Sequence, residues 1–165
     1  MPVNSLRELL AMARARPGAL AFGTAGSAST SNMYAEWFRH AQKIDFYNVP
    51  YKSNPQALAA VAAGEVQATV FALGGAQAQV KAGKGRILAA ISEKRFASNP
   101  EIPTLHEEGV DLVIRNWIGL FARAGTPRDI VERWNRTIAK STADRTYVQK
   151  ILEPAGMELA APSGE

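Results

Sequence analysis

The sequence of 165 residues contains no cysteine, which excludes disulfide bonds and thiolate metal ligands. It also lacks long apolar runs, since the longest, 57–63 and 87–91, are far shorter than the ~18 to 20 residues of a membrane-spanning helix. The two histidines, His40 and His106, have no partner at the spacing of a zinc motif. We therefore expect a chain that does not itself cross a membrane and that holds no metal.

Charge of one sign is not concentrated anywhere. Lys and Arg number 19 and Asp and Glu 15, and the net charge of +4 is spread along the chain. Nucleic-acid-binding proteins usually concentrate basic residues on one face, often with aromatic residues for stacking. The N-terminal apolar patch, 9–13, is shorter than the apolar region of a secretion signal. The sequence thus predicts no nucleic acid partner, and no signal peptide is recognisable in it.

Hydrophobic periodicity predicts alternating strands and helices in the first 95 residues. The predicted helices are 5–16, 32–42, 55–63 and 76–81, and the predicted strands are 19–23, 44–49, 66–73 and 86–92. Strands that alternate with helices of this length are typical of βαβ units with a largely parallel sheet. The sequence therefore favours an α/β fold.

The pattern changes after residue 95. A segment with two prolines, 96–104, predicts a crossover between lobes, and Thr104 is expected to cap a helical turn that reaches Glu108. The later predicted elements are a strand at 117–121, helices at 127–141 and 144–153, and a strand from Met157. The helix at 127–141 is expected to turn its apolar residues inward, namely Ile130, Val131, Trp134, Ile138 and Ala139.

The loop before the helix at 32–42 is rich in hydroxyl groups. A helix N-terminus leaves backbone N–H groups unpaired and carries a partial positive charge, so such a loop favours a carboxylate or phosphate oxygen. The alternative is that Ser29, Thr30 or Ser31 simply caps the helix, which would use one hydroxyl. The loop contains neither the G-x-S-x-G pattern of a nucleophile elbow nor a phosphate-binding glycine pattern. These absences make a hydrolase or a nucleotide-binding protein the less favoured interpretation of the loop.

Six short motifs occur along the chain in a characteristic order. They are FGTAGSAS at 22–29, NVPYK at 48–52, VKAGKGRILA at 80–89, IPT with EEG at 102–109, WIGL at 117–120 and AGTP at 124–127. Together they resemble the periplasmic solute receptors of tripartite tricarboxylate transporters, the Bug or TctC-like family, over nearly the whole chain.

The resemblance implies a periplasmic-binding-protein fold of type II topology, in which two lobes clamp a small organic anion. The implied ligand is a di- or tricarboxylate, the implied partners are the membrane permease subunits, and the implied location of the full-length receptor is the periplasm. It implies neither catalysis nor a cofactor. The ligand-binding residues that it implies are Thr24, Ala25, Gly26, Ser27, Ala28, Ser29, Thr30, Tyr51, Phe71 and Ala72.

The sequence departs from the family pattern in places. Ala28 and Asn32 stand where the family commonly has a second glycine and then a histidine, and Ser53 stands where glycine is usual. By the resemblance, 1–95 form the second lobe, 96–110 a crossover connector, and 111–165 the segment that returns to the first lobe. One lobe would then be complete and the other present only in part.

An incomplete lobe would expose apolar surface near Trp117, Phe121 and Trp134, which predicts a homodimer or a strand-exchanged assembly through that lobe. It also predicts weak or absent ligand binding by this chain alone. Two other interpretations remain open. One is the effector-sensing domain of a transcription regulator, which shares the two-lobed topology, and the other is a small α/β hydrolase.

Overall fold

The computed structural model describes residues 3–112, 114, 118–155, 157 and 159. The chain forms two compact units, one up to residue 114 and one from residue 115 onward. The elements of the first unit are α1 (Leu6–Ala15), β1 (Ala21–Thr24), α2 (Thr30–Gln42), β2 (Tyr47–Pro50), α3 (Asn54–Ala63), β3 (Ala68–Thr69) and α4 (Leu73–Lys81).

The three strands form a parallel sheet in the order β2-β1-β3. The central strand β1 pairs with β2 over four residues and with β3 over two. Because the strands are parallel, their carboxyl ends at Thr24, Pro50 and Thr69 meet at one edge of the sheet. The connection from β1 to β2 and the connection from β2 to β3 run in opposite directions, so the strand order reverses between β1 and β3. Ligands of open parallel sheets bind beyond such an edge, at the point of reversal.

One face of the sheet packs on α1 and α2. Phe22 of β1 stacks on Phe46 with ring centroids 5.1 Å apart, and both rings are buried with Leu10 of α1 and Phe38 of α2. Leu20, which precedes β1, is fully buried in the same cluster. This apolar cluster is the main core of the first unit.

The other face of β1 packs on α3, because side chains alternate between the two faces of a strand. A Cβ at Gly23 would lie 3.3 Å from Ala57 of α3 and 3.2 Å from Val66, closer than nine in ten real Cβ contacts. Glycine at this position therefore allows α3 to approach the sheet. The helix begins after Ser53, whose Oγ accepts a hydrogen bond from the Gln56 N–H, and ends at Gly64 with φ of +79°.

The predicted helices of the first unit are all present. Strands β1 and β2 begin slightly later than predicted, β3 is reduced to two residues, and α4 already begins at Leu73. The prediction that α4 begins after the Gly74-Gly75 pair is wrong. Both glycines lie in the first turn of the helix.

The predicted strand at 86–92 is wrong. Its described backbone forms a single bridge, between Ala90 and Thr104. The Ala90 N–H donates to the Pro103 carbonyl at 2.8 Å, and the Leu105 N–H donates to the Ala90 carbonyl at 2.9 Å. Proline has no N–H to donate to a ladder, so the pairing cannot continue on the Pro103 side of this bridge.

The segment 96–110 forms part of the first unit. Leu105 and Val110 are buried in the main core cluster. Thr104 caps the turn that follows, since its Oγ1 accepts a hydrogen bond from the Glu107 N–H at 3.2 Å, but the turn does not become a helix. The division of the chain into lobes and a connector at 96–110 remains a prediction.

The second unit consists mainly of helix. Its elements are α5 (Arg128–Ala143), α6 (Arg145–Tyr147), a π-helical turn (Val148–Leu152) and a 3-10 turn (Glu153–Ala155). The helix predicted at 127–141 is confirmed, and the one predicted at 144–153 is broken into these three short pieces. Of the strand predicted at 117–121, Trp117 lies outside the described residues and 118–121 are not in a strand. Met157 is not in a strand either, and most of the residues after it lie outside the described part.

The expected inward orientation of the apolar residues of α5 is wrong. No residue of α5 is buried, and Trp134 and Ile130 are 55% and 44% exposed. The residues that were expected to point inward, and that are not buried, are Ile130, Val131, Trp134, Ile138 and Ala139. The pattern itself is amphipathic, but the described residues of the second unit supply nothing that covers its apolar side. No helix among the described residues is long and apolar enough to span a bilayer.

Candidate functional site

The candidate site lies at the carboxyl edge of the sheet, where the strand order reverses. At this edge β1 continues into the hydroxyl-rich loop 24–30 and then α2, which begins at Thr30. Next to it β3 continues through Phe71 and Ala72 into α4, which begins at Leu73. Two helix N-termini therefore lie beyond neighbouring strands, and each carries a partial positive charge.

Three hydroxyl groups of this region hold the loop in place. Ser29 caps α2, since its Oγ accepts from the Asn32 N–H at 3.1 Å and donates to the Gly26 carbonyl at 2.7 Å. Ser31 Oγ accepts from the Ala25 N–H at 3.0 Å. The fully buried Thr24 donates its hydroxyl to Asn48 Oδ1 at 2.9 Å. The capping interpretation is thus confirmed for Ser29.

Other polar groups of the loop have no partner in the described part of the chain. Ser27 and Thr30 are exposed, and their hydroxyls have no hydrogen-bond partner among the described residues. The backbone N–H groups of Gly26, Ser27 and Ala28 also find no acceptor in the described part of the chain. Gly26 has φ of +89°, a conformation that favours glycine. The loop therefore presents several donors without acceptors, which is the arrangement that an anion requires.

The beginning of α4 has a related character. Ala72 at its N-cap has no side-chain oxygen, so no side chain caps this helix. The ring of Phe71 lies against Gly75, and a Cβ at that position would overlap the ring. Glycine in the first turn therefore lets Phe71, which is partly buried, pack against the start of the helix.

Tyr51 lies at the same edge but uses its polar groups elsewhere. Its backbone N–H donates to the Thr24 carbonyl at 2.7 Å, and its ring packs over Gly23. Its hydroxyl donates to the Glu65 carboxylate at 3.4 Å. Partial burial and the nearby Glu65 charge raise the pKa of the Tyr51 phenol above its usual value. The hydroxyl thus engages Glu65 and not the loop, and a ligand-binding role for Tyr51 remains a prediction.

Asn48 is the residue at this site that the sequence-based interpretation did not include. It lies on β2 and contacts Thr24, Asn32 and Glu36 through its side-chain amide. The available signal was a single amide side chain within an otherwise apolar strand. That signal does not identify which residues the amide contacts, because Thr24 lies 24 positions away in the sequence.

Other features of the first unit lie apart from this site. A groove of about 540 Å³ runs between the end of α4 and the segment 99–103, and none of the predicted ligand-binding residues lines it. The described residues contain no cluster of three or more His, Cys, Asp or Glu side chains that could hold a metal ion.

Comparison with known sequences identifies the family. Residues 1–165 match the model of the tripartite tricarboxylate transporter family receptor. The chain is 34% identical over 152 residues to the UPF0065 protein in the gbd 5' region of Cupriavidus necator, an alignment that covers 92% of this chain and 46% of the relative. It is 27% identical to protein BugT of Bordetella pertussis, and this alignment covers 90% of this chain and 46% of BugT. The chain therefore spans about half the length of these relatives.

Comparison with solved structures agrees with the family that the sequence comparison identifies. R. palustris Rpa4515 with adipate has a TM-score of 0.88 and 31% identity, with 94% of this chain and 52% of that chain covered. A TctC solute binding protein from Polaromonas has a TM-score of 0.70 and 27% identity, with 90% and 51% covered. The fold of periplasmic binding protein BugD also matches, with a TM-score of 0.81. The predicted periplasmic-binding-protein-like α/β fold, present in part, is confirmed, and the chain belongs to the receptor family of tripartite tricarboxylate transporters.

Proposed function

We propose that this chain forms part of a periplasmic receptor that binds a small organic acid and presents it to the permease subunits of a tripartite tricarboxylate transporter. Family membership supports the receptor role. The observation that supports an acid as ligand is the set of backbone N–H groups at Gly26, Ser27 and Ala28 that lack acceptors among the described residues. The relative Rpa4515, solved with adipate, makes a dicarboxylate the first ligand to test.

A carboxylate at the loop 24–30 would accept hydrogen bonds from these backbone donors. A hydrogen bond to a charged group contributes roughly 1.5 to 3 kcal/mol, more than one between neutral groups. The starts of α2 and α4 add a favourable electrostatic potential at the same edge. Two helix starts at one edge suit a ligand with two anionic groups, which is why we propose a di- or tricarboxylate over a monocarboxylate.

Binding without turnover is the proposed activity. A serine nucleophile needs a hydrogen-bonded base that takes its proton. The exposed Ser27 hydroxyl has no such partner among the described residues, which favours a binding role over a hydrolase. Among the described residues, no observation favours the effector domain of a transcription regulator.

Titration of the isotope-labelled chain with adipate, followed by amide NMR, tests the proposal. We expect saturable shifts of the Gly26, Ser27 and Ala28 amides with weak affinity, because one lobe leaves the ligand partly solvated. Adipamide, which has the same length but no charge, is the matched control and should cause no such shifts. Absence of saturable shifts with adipate, or equal shifts with adipamide, would contradict the proposal.

Removal of the helix cap at the loop should affect both stability and binding. Ser29→Ala deletes the cap of α2, for which we expect a cost of about 0.5 to 2 kcal/mol in the free energy of unfolding, and a weaker response to adipate. Ser5→Ala deletes the equivalent cap of α1, where Ser5 Oγ accepts from the Glu8 N–H. It should lower stability similarly without changing adipate binding. Equal effects of the two variants on binding would show that the loop does not hold the ligand.

We also propose that the chain forms a homodimer through the apolar stripe of α5. Ile130, Trp134 and Ile138 repeat every fourth residue, so they share one side of the helix, and all three are more than 40% exposed. Exposed apolar surface of this kind favours association.

Substitution on this stripe tests the dimer by light scattering across a range of concentrations. We expect a dimeric mass for the wild type and a monomeric mass for Trp134→Glu, because a charge cannot be buried unpaired at an apolar interface. Arg136→Glu, a larger change of charge on the opposite side of α5, should leave the dimer intact. A monomeric wild type at every concentration would refute the proposal.

A further inference from the structure

A chain of side-chain hydrogen bonds connects the central strand to the middle of the loop. The Thr24 hydroxyl donates to Asn48 Oδ1 at 2.9 Å, and Asn48 Nδ2 donates to Asn32 Oδ1. Asn32 Nδ2 then donates to the Ser27 carbonyl at 3.0 Å. The chain begins at a fully buried hydroxyl and ends at an exposed residue of the candidate anion loop. We call these four residues the amide relay.

The direction of the amide relay is determined by the Ser27 carbonyl at its exposed end. The Ser27 carbonyl can only accept, so Asn32 must turn its NH2 group towards it and its oxygen towards Asn48. Asn48 must then donate to Asn32 and present its own oxygen to Thr24, which has to donate. Reversal of either amide would place two oxygens against each other. Glu36 Oε1, 3.5 Å from Asn48 Nδ2, favours the same orientation.

The relay also orients the loop amides. A trans peptide is planar, and its C=O and N–H groups point in opposite directions. The hydrogen bond from Asn32 holds the Ser27 carbonyl towards α2 and therefore directs the Ala28 N–H away from it. That N–H is one of the donors without an acceptor among the described residues.

We propose that Asn48 and Asn32 are positioning residues that orient the Ala28 N–H towards a bound carboxylate. Neither residue needs to touch the ligand. Asn48 lies on β2, whereas the loop follows β1. The proposal rests on the function proposed above, because it assigns how that site is held in shape.

Asn48→Asp tests the relay with almost no change in shape. The aspartate can still accept from Thr24, but it presents an oxygen to Asn32 Oδ1 in place of a donor. Asn32 must then turn, which places its oxygen against the Ser27 carbonyl. We expect large amide shifts of Ser27 and Ala28 without ligand, and adipate affinity about tenfold weaker, as for the loss of one hydrogen bond to a charged group.

Asn135→Asp is the matched control, since it adds the same charge at an exposed residue of α5. It should leave the loop amides and adipate binding unchanged. Unshifted Ser27 and Ala28 amides in Asn48→Asp would overturn the relay, and shifted amides combined with wild-type adipate affinity would overturn the positioning role. If the wild-type chain does not bind adipate, the proposed function fails and so does the positioning role, whereas shifted loop amides would still establish the hydrogen-bond relay itself.

Discussion

Leu20→Ala should destabilise the first unit by about 2 to 5 kcal/mol, the range for deletion of a buried leucine side chain. Leu20 is fully buried where the chain enters β1, in the cluster that contains Phe22 and Phe46. Its truncation removes apolar contacts and leaves a cavity between the sheet and α1, which the surrounding helices cannot fill completely. The central strand that carries Thr24 to the edge of the sheet would lose part of its support.

Hydrogen exchange of the β1 amides is the appropriate measurement, because the chain contains two units and a global signal would combine them. Leu120→Ala is the matched control, since it removes the same side-chain atoms from a leucine that is 66% exposed. We expect it to change stability by no more than about 0.5 kcal/mol. Similar costs for the two variants would mean that Leu20 does not lie in the core.

Gly26→Val should abolish most of the adipate binding while leaving the fold intact. Gly26 has φ of +89°, and a β-branched residue is a strong outlier there, with a cost of roughly 1 to 3 kcal/mol. No atom lies within 4 Å of a Cβ at this position, so the strain arises from the backbone alone. The loop can relieve it only by rotating its peptides, which would turn the N–H groups of Ser27 and Ala28 away from the carboxylate. We expect affinity to fall more than about tenfold.

Gly64→Val provides the control for this experiment. Gly64 also has a positive φ of +79° and open space around its Cβ, but it lies at the C-terminal end of α3. The two variants should therefore lose similar stability in urea unfolding, and NMR titration should show weaker adipate binding for Gly26→Val alone. Loss of binding in both variants would indicate a global cause, and wild-type binding in Gly26→Val would remove the loop from the site.

Local signals in the sequence predicted the four helices of the first unit. Helix α1 begins after Ser5, and α3 begins after Ser53 and ends at Gly64, as capping residues indicate. These signals succeed because a cap and its partner lie within about four residues of each other. The hydroxyl-rich loop was found for the same reason, since it directly precedes α2.

Strand pairing, burial and the amide relay were decided by the tertiary structure. The run at 87–91 has strand character, but its one bridge depends on Thr104 and is limited by Pro103. The apolar pattern of α5 is equally clear, yet the pattern cannot say whether anything in the chain covers it.

The sequence by itself thus determined the alternation of helices and strands, the caps and the position of the loop. Only the tertiary structure decided that Asn48 joins Thr24 to Asn32 and so orients the loop at Ser27. The physical reason is range: caps and periodicity act between residues that are close in the sequence. The polarity of a hydrogen-bond relay is determined by partners that the fold alone brings together.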